Sequence, residues 1–314
     1  MKKIFSFIAL AFLSVSAFAQ TCVETDVNIT GTASITFTRY EHKNLTGLFS
    51  VAAGKQVLFS QGNLQYQAST NTWRFAEHQW DKANGNSTVS GRDTQSKWID
   101  LFGYGTSGWD NGSVRYMPYD NENIQENYTA DHLYSSVEAD WAWHNVIING
   151  GVSMDGPVNH IWRVMTKEEW EYLIARSGRT LIGTGTLKGV QGLFILPDDW
   201  DWSETTVAAA ATAYNNFEFV SASASLSSFT NNIIDNSSEG SAFWDVLENA
   251  GVVFLPGEGY RVESSIYAST RGYYWLATGS DSKLSIVAQF YENVCGITRK
   301  SHAEGCAVRP VREL

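Results

Sequence analysis

Apolar and polar residues keep different rhythms in different stretches of the chain. Residues 27–39, VNITGTASITFTR, alternate and are rich in β-branched side chains, the period of a half-buried strand. The alternation resumes over 49–76. Gly54 and the Gly62-Asn63 pair break it, and STNT at 69–72 predicts a turn between two strands. At 162–178, WRVMTKEEWEYLIARSG, the period becomes helical: Trp170, Leu173 and Ile174 share one face. Thr166 followed three residues on by Glu169 predicts a capping box, the hydroxyl accepting a first-turn N–H and the carboxylate reaching back. Arg176 falls near the C-terminal end, and Gly178 supplies a stop. Glu168 and Glu171 point away from the apolar face. One carboxylate therefore caps and two are solvated, and none is expected to be catalytic, since a perturbed pKa requires a pocket.

Beyond this helix, GLFILPDDW (192–200) and GVVFLPGEGYR (251–261) repeat one device, a short apolar strand ended by proline. Residues 241–251, SAFWDVLENAG, predict a second short helix with Ser241 as cap and Gly251 as stop. YYWLATG, KLSIVAQFY and CAVRPVREL complete an antiparallel set. Two stretches lack a regular period. Residues 77–160, rich in Asn, Asp, Gly, Ser, Trp and Tyr, predict a long folded insertion of loops and short turns, packed down by its aromatics. Residues 203–240, rich in Ala, Ser and Asn, predict another excursion.

The first twenty residues change the setting. Lys2 and Lys3 precede an apolar run from Ile4 to Val15, and Ala17 and Ala19 form an A-x-A cleavage site before Gln20. This is the pattern of a secretory signal peptide. The expected organisation is a leader at 1–19, a β-rich segment at 20–46 and a main domain at 47–314. No other run approaches the roughly 18 apolar residues of a membrane helix. The expected protein is exported, to the periplasm, the cell surface or beyond, with no transmembrane segment. A net charge of −11 argues against nucleic acid and anionic membranes as partners. Twelve Trp, 14 Tyr and 16 Phe promise a well-packed fold with some aromatic surface.

The candidate chemistry is sparse. Cys295 and Cys306 flank GITRKSHAEG; a hairpin turning at Lys300-Ser301 would set them opposite each other, about 4.5–5.5 Å apart at Cα and within disulfide range. A bridge suits an exported chain, leaving Cys22 over; three unpaired small hydrophobes is the alternative. Gly103, Gly105 and Gly108 spell G-x-G-x-x-G, but turn residues follow instead of a helix, so a tight aromatic loop is the better reading. The six histidines show neither i, i+4 spacing nor a zinc-finger pattern with cysteine. Asp198, Asp199 and Asp201, beside Trp200 and Trp202, offer oxygens to Ca²⁺, although EF-hand spacing is absent and a surface turn competes. Trp109, Trp141 and Trp143 sit among Asn, Asp and His, where a flat ring can stack on a sugar while polar groups bind its hydroxyls. The same rings would equally serve to pack the loops. The expected ligand-binding set is Trp109, Asp110, Trp141, Trp143, Asp199 and Trp202.

Several of these motifs carry a resemblance. Residues 163–172, RVMTKEEWEY, resemble the R-L-P-T-x-x-E-W-E-Y signature of the formylglycine-generating, sulfatase-modifying-factor group, whose fold is a variant of the C-type lectin. GCAVRPV resembles that group's closing glycine–apolar–arginine strand. GYYWLATGS is similar to the YWSST strand of the Fibrobacter-type major paralogous domain. FSQGNLQYQASTNTWRFAEHQWD and WIDLFGYGTSGW look like a Bacteroidetes-type secreted variant. The resemblance runs from about residue 47 to 314 by order of motifs. It implies an α+β, C-type lectin-like domain, mostly antiparallel β, with two helices and long loop excursions. The group's catalytic residues do not carry over. Its copper(I) cysteines lie a few residues apart, unlike Cys295 and Cys306; a His-x-x-x-His-x-Glu iron motif is absent; and its Leu-Pro is Val164-Met165 here. The expectation is a non-catalytic binding module for a glycan or an extracellular protein. A metal-dependent oxidase using Cys295 and Cys306, and a structural or adhesin subunit, are the alternatives.

Overall fold

A computed structural model describes residues 45–87, 96–108, 118, 140–153, 156–157, 160–176, 181–201, 203–214, 232–280, 283–292 and 294–314. The expected leader and strands before residue 45, the stop at Gly178, and Trp109, Asp110 and Trp202 lie outside these.

The first hairpin joins β1 (Phe49–Ala52) to β2 (Lys55–Phe59) through Gly54, whose φ of 71° suits glycine. β3 (Leu64–Gln67) and β4 (Thr72–Phe75) form the second, turning through the expected STNT with Asn71 left-handed at φ 48°. A single helical turn, α1 (Trp141–His144), precedes the small hairpin of β5 (Val152–Ser153) and β6 (Gly156–Pro157), and then α2 (Lys167–Ala175). β7 (Ile182–Leu187), β8 (Val190–Ile195), α3 (Thr205–Ala213), β9 (Ile233–Ile234), α4 (Ser238–Asn249) and β10 (Val253–Pro256) follow. β11 (Tyr260–Val262) and β12 (Ser265–Tyr267) make a short hairpin before the meander β13 (Gly272–Gly279), β14 (Leu284–Tyr291) and β15 (Val294–Ser301). β16 (Val311–Glu313) returns to pair with β2, giving the order β1-β2-β16. The architecture is α+β with mostly antiparallel sheets; β9 alone among the named strands runs parallel to its neighbour, β7.

The two proline-ended strands expected from the sequence pair with each other. β8 and β10 lie side by side, Ile195 opposite Val253 and Leu193 opposite Leu255, so their apolar faces are continuous. β7, β8 and β10 carry α3 and α4 on one side, where Phe194, Trp244, Leu247 and Phe254 pack together. α2 forms as its pattern predicts. Thr166 Oγ1 accepts from Glu169 N, and Glu169 Oε2 accepts from Thr166 N at 3.0 Å. Trp170 and Leu173 are buried against the β1-β2-β16 and β13-β14-β15 sheets, while Glu168 and Glu171 face solvent. Burying Leu173 contributes about 1.5–3 kcal/mol.

The helix count and one cap differ from expectation. Four helices stand among the described residues. α4 starts at Ser237, whose Oγ accepts from Gly240 N at 2.9 Å; Ser241 lies inside the helix and donates to Ser237 O. The first turn is polar and precedes the apolar pattern, so periodicity placed the start too late. At the other end Gly251, left-handed at φ 90°, donates to Glu248 O and Val252 donates to Leu247 O, a Schellman stop. α3 is an alanine run inside the presumed excursion. Alanine favours helix intrinsically but supplies almost no amphipathic pattern.

The cysteine hairpin is also corrected. β15 does not turn at Lys300-Ser301 but runs to Ser301, opposite Leu284, because β14 is its partner. Cys295 therefore faces Phe290, whereas Cys306 bridges to Phe102. Both are free thiols. Cys306 is fully buried among the aromatics, and Cys295 packs against the neighbouring cluster. Gly105 and Gly108 take φ of 80° and 79°, consistent with a tight loop. Among the described residues no helix is long and apolar enough to cross a membrane.

A buried polar cluster ties distant loops to this frame. Asn63 Nδ2 donates to Glu258 Oε1 at 2.6 Å and to Tyr274 Oη at 3.1 Å. Arg309 donates to Gln79 Oε1 at 2.8 Å. Asp100 accepts from Ala83 N at 2.6 Å and from Asn86 Nδ2 at 2.5 Å, and it hydrogen-bonds Glu258. Burial, together with the Asp100 charge, pushes the Glu258 carboxyl well above its ordinary value. Glu258 Oε2 has no donor within reach. Raised in this way, Glu258 keeps its proton and can donate it toward Asp100.

Candidate functional site

Asp140 begins the construction. Its Oδ1 accepts from Ala142 N at 2.9 Å and Trp143 N at 3.4 Å, capping α1. Its Oδ2 accepts from Val164 N at 2.6 Å, clamping α1 to the approach of α2. Burial pushes this carboxyl up to about 6, against the pull of those N–H groups and of Arg163. Asn145 secures the far end of the turn, donating to Ser107 O and Trp141 O at 2.9 Å each.

On so short a helix the two tryptophans diverge. Trp141 is fully buried beside Phe102 and Tyr104, its Nε1 on Thr106. It is a core residue, correcting its expected place in an open site. Trp143 turns outward and is half-buried. His160 stacks on it with ring centroids 5.1 Å apart and planes at 23°, and His160 N donates to Trp143 O. His160 holds φ at 65°, a left-handed conformation uncommon outside glycine. Strain of this kind gathers at functional sites.

Other residues lining the same site come from β16 and from the approach to α2. Arg163 and Val311 exchange backbone hydrogen bonds of 2.8 Å, which brings β16 beside the approach to α2. Arg163 makes a fork-to-fork pair with Glu169, two contacts of 2.7 Å, and its Nε donates to Glu313 at 3.0 Å. Lys55 reaches Glu169 at 3.0 Å and Glu313 at 2.8 Å. Burial opposes the Glu169 charge, yet Arg163, Thr166 N–H and Lys55 hold its carboxyl below the ordinary value. Arg312 lies over the Trp162 ring, 5.4 Å from its centroid. Trp143, His160, Arg163, Arg312 and Glu313, together with Leu58, Ile161 and Leu314, line an open cleft of about 680 Å³.

A second cleft, of about 390 Å³, holds Asp199, Asp201 and Glu204 with Trp200 and Asn249. The aspartates considered for Ca²⁺ do not converge there. Asp198 is drawn to Arg176 at 3.2 Å and accepts from Ser50 and Gln56. Asp201 Oδ1 accepts from Ser203 N and Oγ, while Asp199 is exposed. Among the described residues no three His, Cys, Asp or Glu side chains are grouped to hold a metal. Burial pushes the Cys295 thiol up to about 12 and Cys306 well above its usual value, so neither rests as a thiolate.

Of the expected binding residues, Trp143 lines the first cleft, Asp199 the second, and Trp141 neither. His160, Arg312 and Glu313 went unread because only folding brings them to Trp143. Asp140, directly before the WAW triplet, offered a local cap signal. No family model matches the chain, nor does any curated protein or solved structure.

Proposed function

We propose that the chain is an exported, non-catalytic binding module that takes a saccharide in the cleft of Trp143 and His160. The fold that presents this cleft is assigned on the same footing to the C-type lectin-like class, from the motif at 163–172 and the mixed antiparallel architecture. The observation that carries the reading is the stacked, half-open Trp143–His160 pair lining one open cleft together with Arg312 and Glu313. An apolar ring wall opposite a few placed polar groups is the composition of small-ligand sites. A flat ring accepts the apolar face of a pyranose, and the facing side chains reach its substituents.

Glycan-array screening of the full mature chain, followed by calorimetry on the best binder, tests this. Trp143→Ala is expected to weaken binding about 30-fold, the ~2 kcal/mol of a hot-spot aromatic. An array on which nothing binds, or a ligand indifferent to Trp143→Ala, would overturn the assignment. Binding confined to extracellular proteins would do the same.

A further inference from the structure

We infer that the saccharide of this cleft is an acidic one, and that Arg312 receives its carboxylate or sulfate. The inference rests on the proposed site and adds the chemical class of its ligand.

Charge accounting in and beside the cleft leads to it. Arg163 and Lys55 face Glu169 and Glu313, two cations against two carboxylates, all within 3.0 Å of a partner. That quartet is neutral and internally satisfied. Arg312 stands outside it. Among the described arginines that are wholly or partly buried, Arg74, Arg163, Arg176, Arg261 and Arg309 each donate to an oxygen. Arg312 has no hydrogen bond or ion pair from its guanidinium among the described residues; its contact is the face of Trp162. Half-burial without a counter-charge lowers its pKa, the sign of a cation whose desolvation is uncompensated. Beside a neutral quartet, such a guanidinium is the uncompensated positive charge of the cleft's described ion-pairing side chains.

The geometry around it favours an oxyanion on a ring. A guanidinium presents a planar fork of donors that matches carboxylate and sulfate oxygens. The contact with the Trp162 ring restricts the side chain in advance, so less freedom is lost on binding. Trp143 and His160 supply the apolar platform in the same cleft. A pyranose stacked there would carry its acidic substituent toward Arg312. Glu169 and Glu313 are already engaged by Arg163 and Lys55, so neither neutralises Arg312.

The test uses the full mature chain and three sets of oligosaccharides: uronate-bearing, sulfate-bearing and neutral. Each acidic binder is also measured after methyl esterification or desulfation. Neutralising the ligand is expected to weaken binding about 10- to 100-fold, the range of a charged hydrogen bond. Arg312→Gln should produce the same loss on the acidic form and almost none on the neutralised form, with Arg312→Lys intermediate. Loss on esterification assigns a carboxylate, and loss on desulfation assigns a sulfate; either supports the inference. Neutral sugars binding as well as acidic ones overturn it. So does unchanged affinity in Arg312→Gln while Trp143→Ala abolishes binding, a result that leaves the saccharide site standing. Failure of every saccharide overturns both. The ligand modifications need no altered protein, so the test holds even if a variant folds poorly.

Discussion

Asp140 receives main-chain N–H groups from two separate segments and thereby fixes the angle at which α1 presents Trp143. Asp140→Ala removes a cap worth about 1 kcal/mol and orphans the buried Val164 N–H, at a cost of about 1–3 kcal/mol. Urea denaturation should show a loss of roughly 2–4 kcal/mol. A loss below about 0.5 kcal/mol would mean that water replaces the carboxylate there. Trp141 and Trp143 show what the sequence could not resolve at this scale. Two residues apart on a helix lie about 200° apart around its axis, so one ring must enter the core when the other leaves it. A four-residue turn has no periodicity to say which. Burial beside Phe102 decided for Trp141, and the stack on His160 for Trp143.

α2 was legible nearly atom for atom because every signal for it is local: cap, apolar face and solvated acids lie within ten residues. Thr166→Ala should cost about 1 kcal/mol by chemical denaturation, with helix content otherwise retained. A change near zero would show that Glu169, held by Arg163 and Lys55, closes the first turn unaided. The long-range partners of that same helix were hidden. Lys55 lies far before it and Glu313 far after it, and their meeting depends on β2 and β16 pairing. The misplacement of the α4 cap and the silence over α3 have one physical source: periodicity detects apolar faces, whereas polar first turns and alanine runs have none to detect. The proline-ended strands were read individually, but their mutual pairing is a fact of the sheet.

Across the whole molecule, the Asp100–Glu258 pair makes stability depend on pH in the same direction as the raised carboxyl of Asp140. Both carboxyls are raised, chiefly by burial. The folded state keeps a proton that the unfolded chain releases once pH passes its ordinary carboxylate value. Unfolded chains then bind fewer protons than folded ones, so this contribution makes stability fall as pH rises above that value toward the folded pKa. Urea midpoints measured from pH 5 to 8 should decline, and Glu258→Gln, which keeps the shape without the ionisation, should flatten the decline. An unaltered slope in that variant would place the sensitivity elsewhere. The sequence showed none of this, since Asp100 and Glu258 sit in unremarkable loop segments until the sheets bring them together. One last consequence comes from the pairing of β16 with β2. The pairing joins residues 57–59 to residues 311–313, nearly opposite ends of the described stretch. Contacts so distant in sequence are slow to form, because the long loop between them must close before they stabilise anything. The Arg163 cluster and the strand that carries Arg312 should therefore consolidate after the local hairpins, as the late event of refolding.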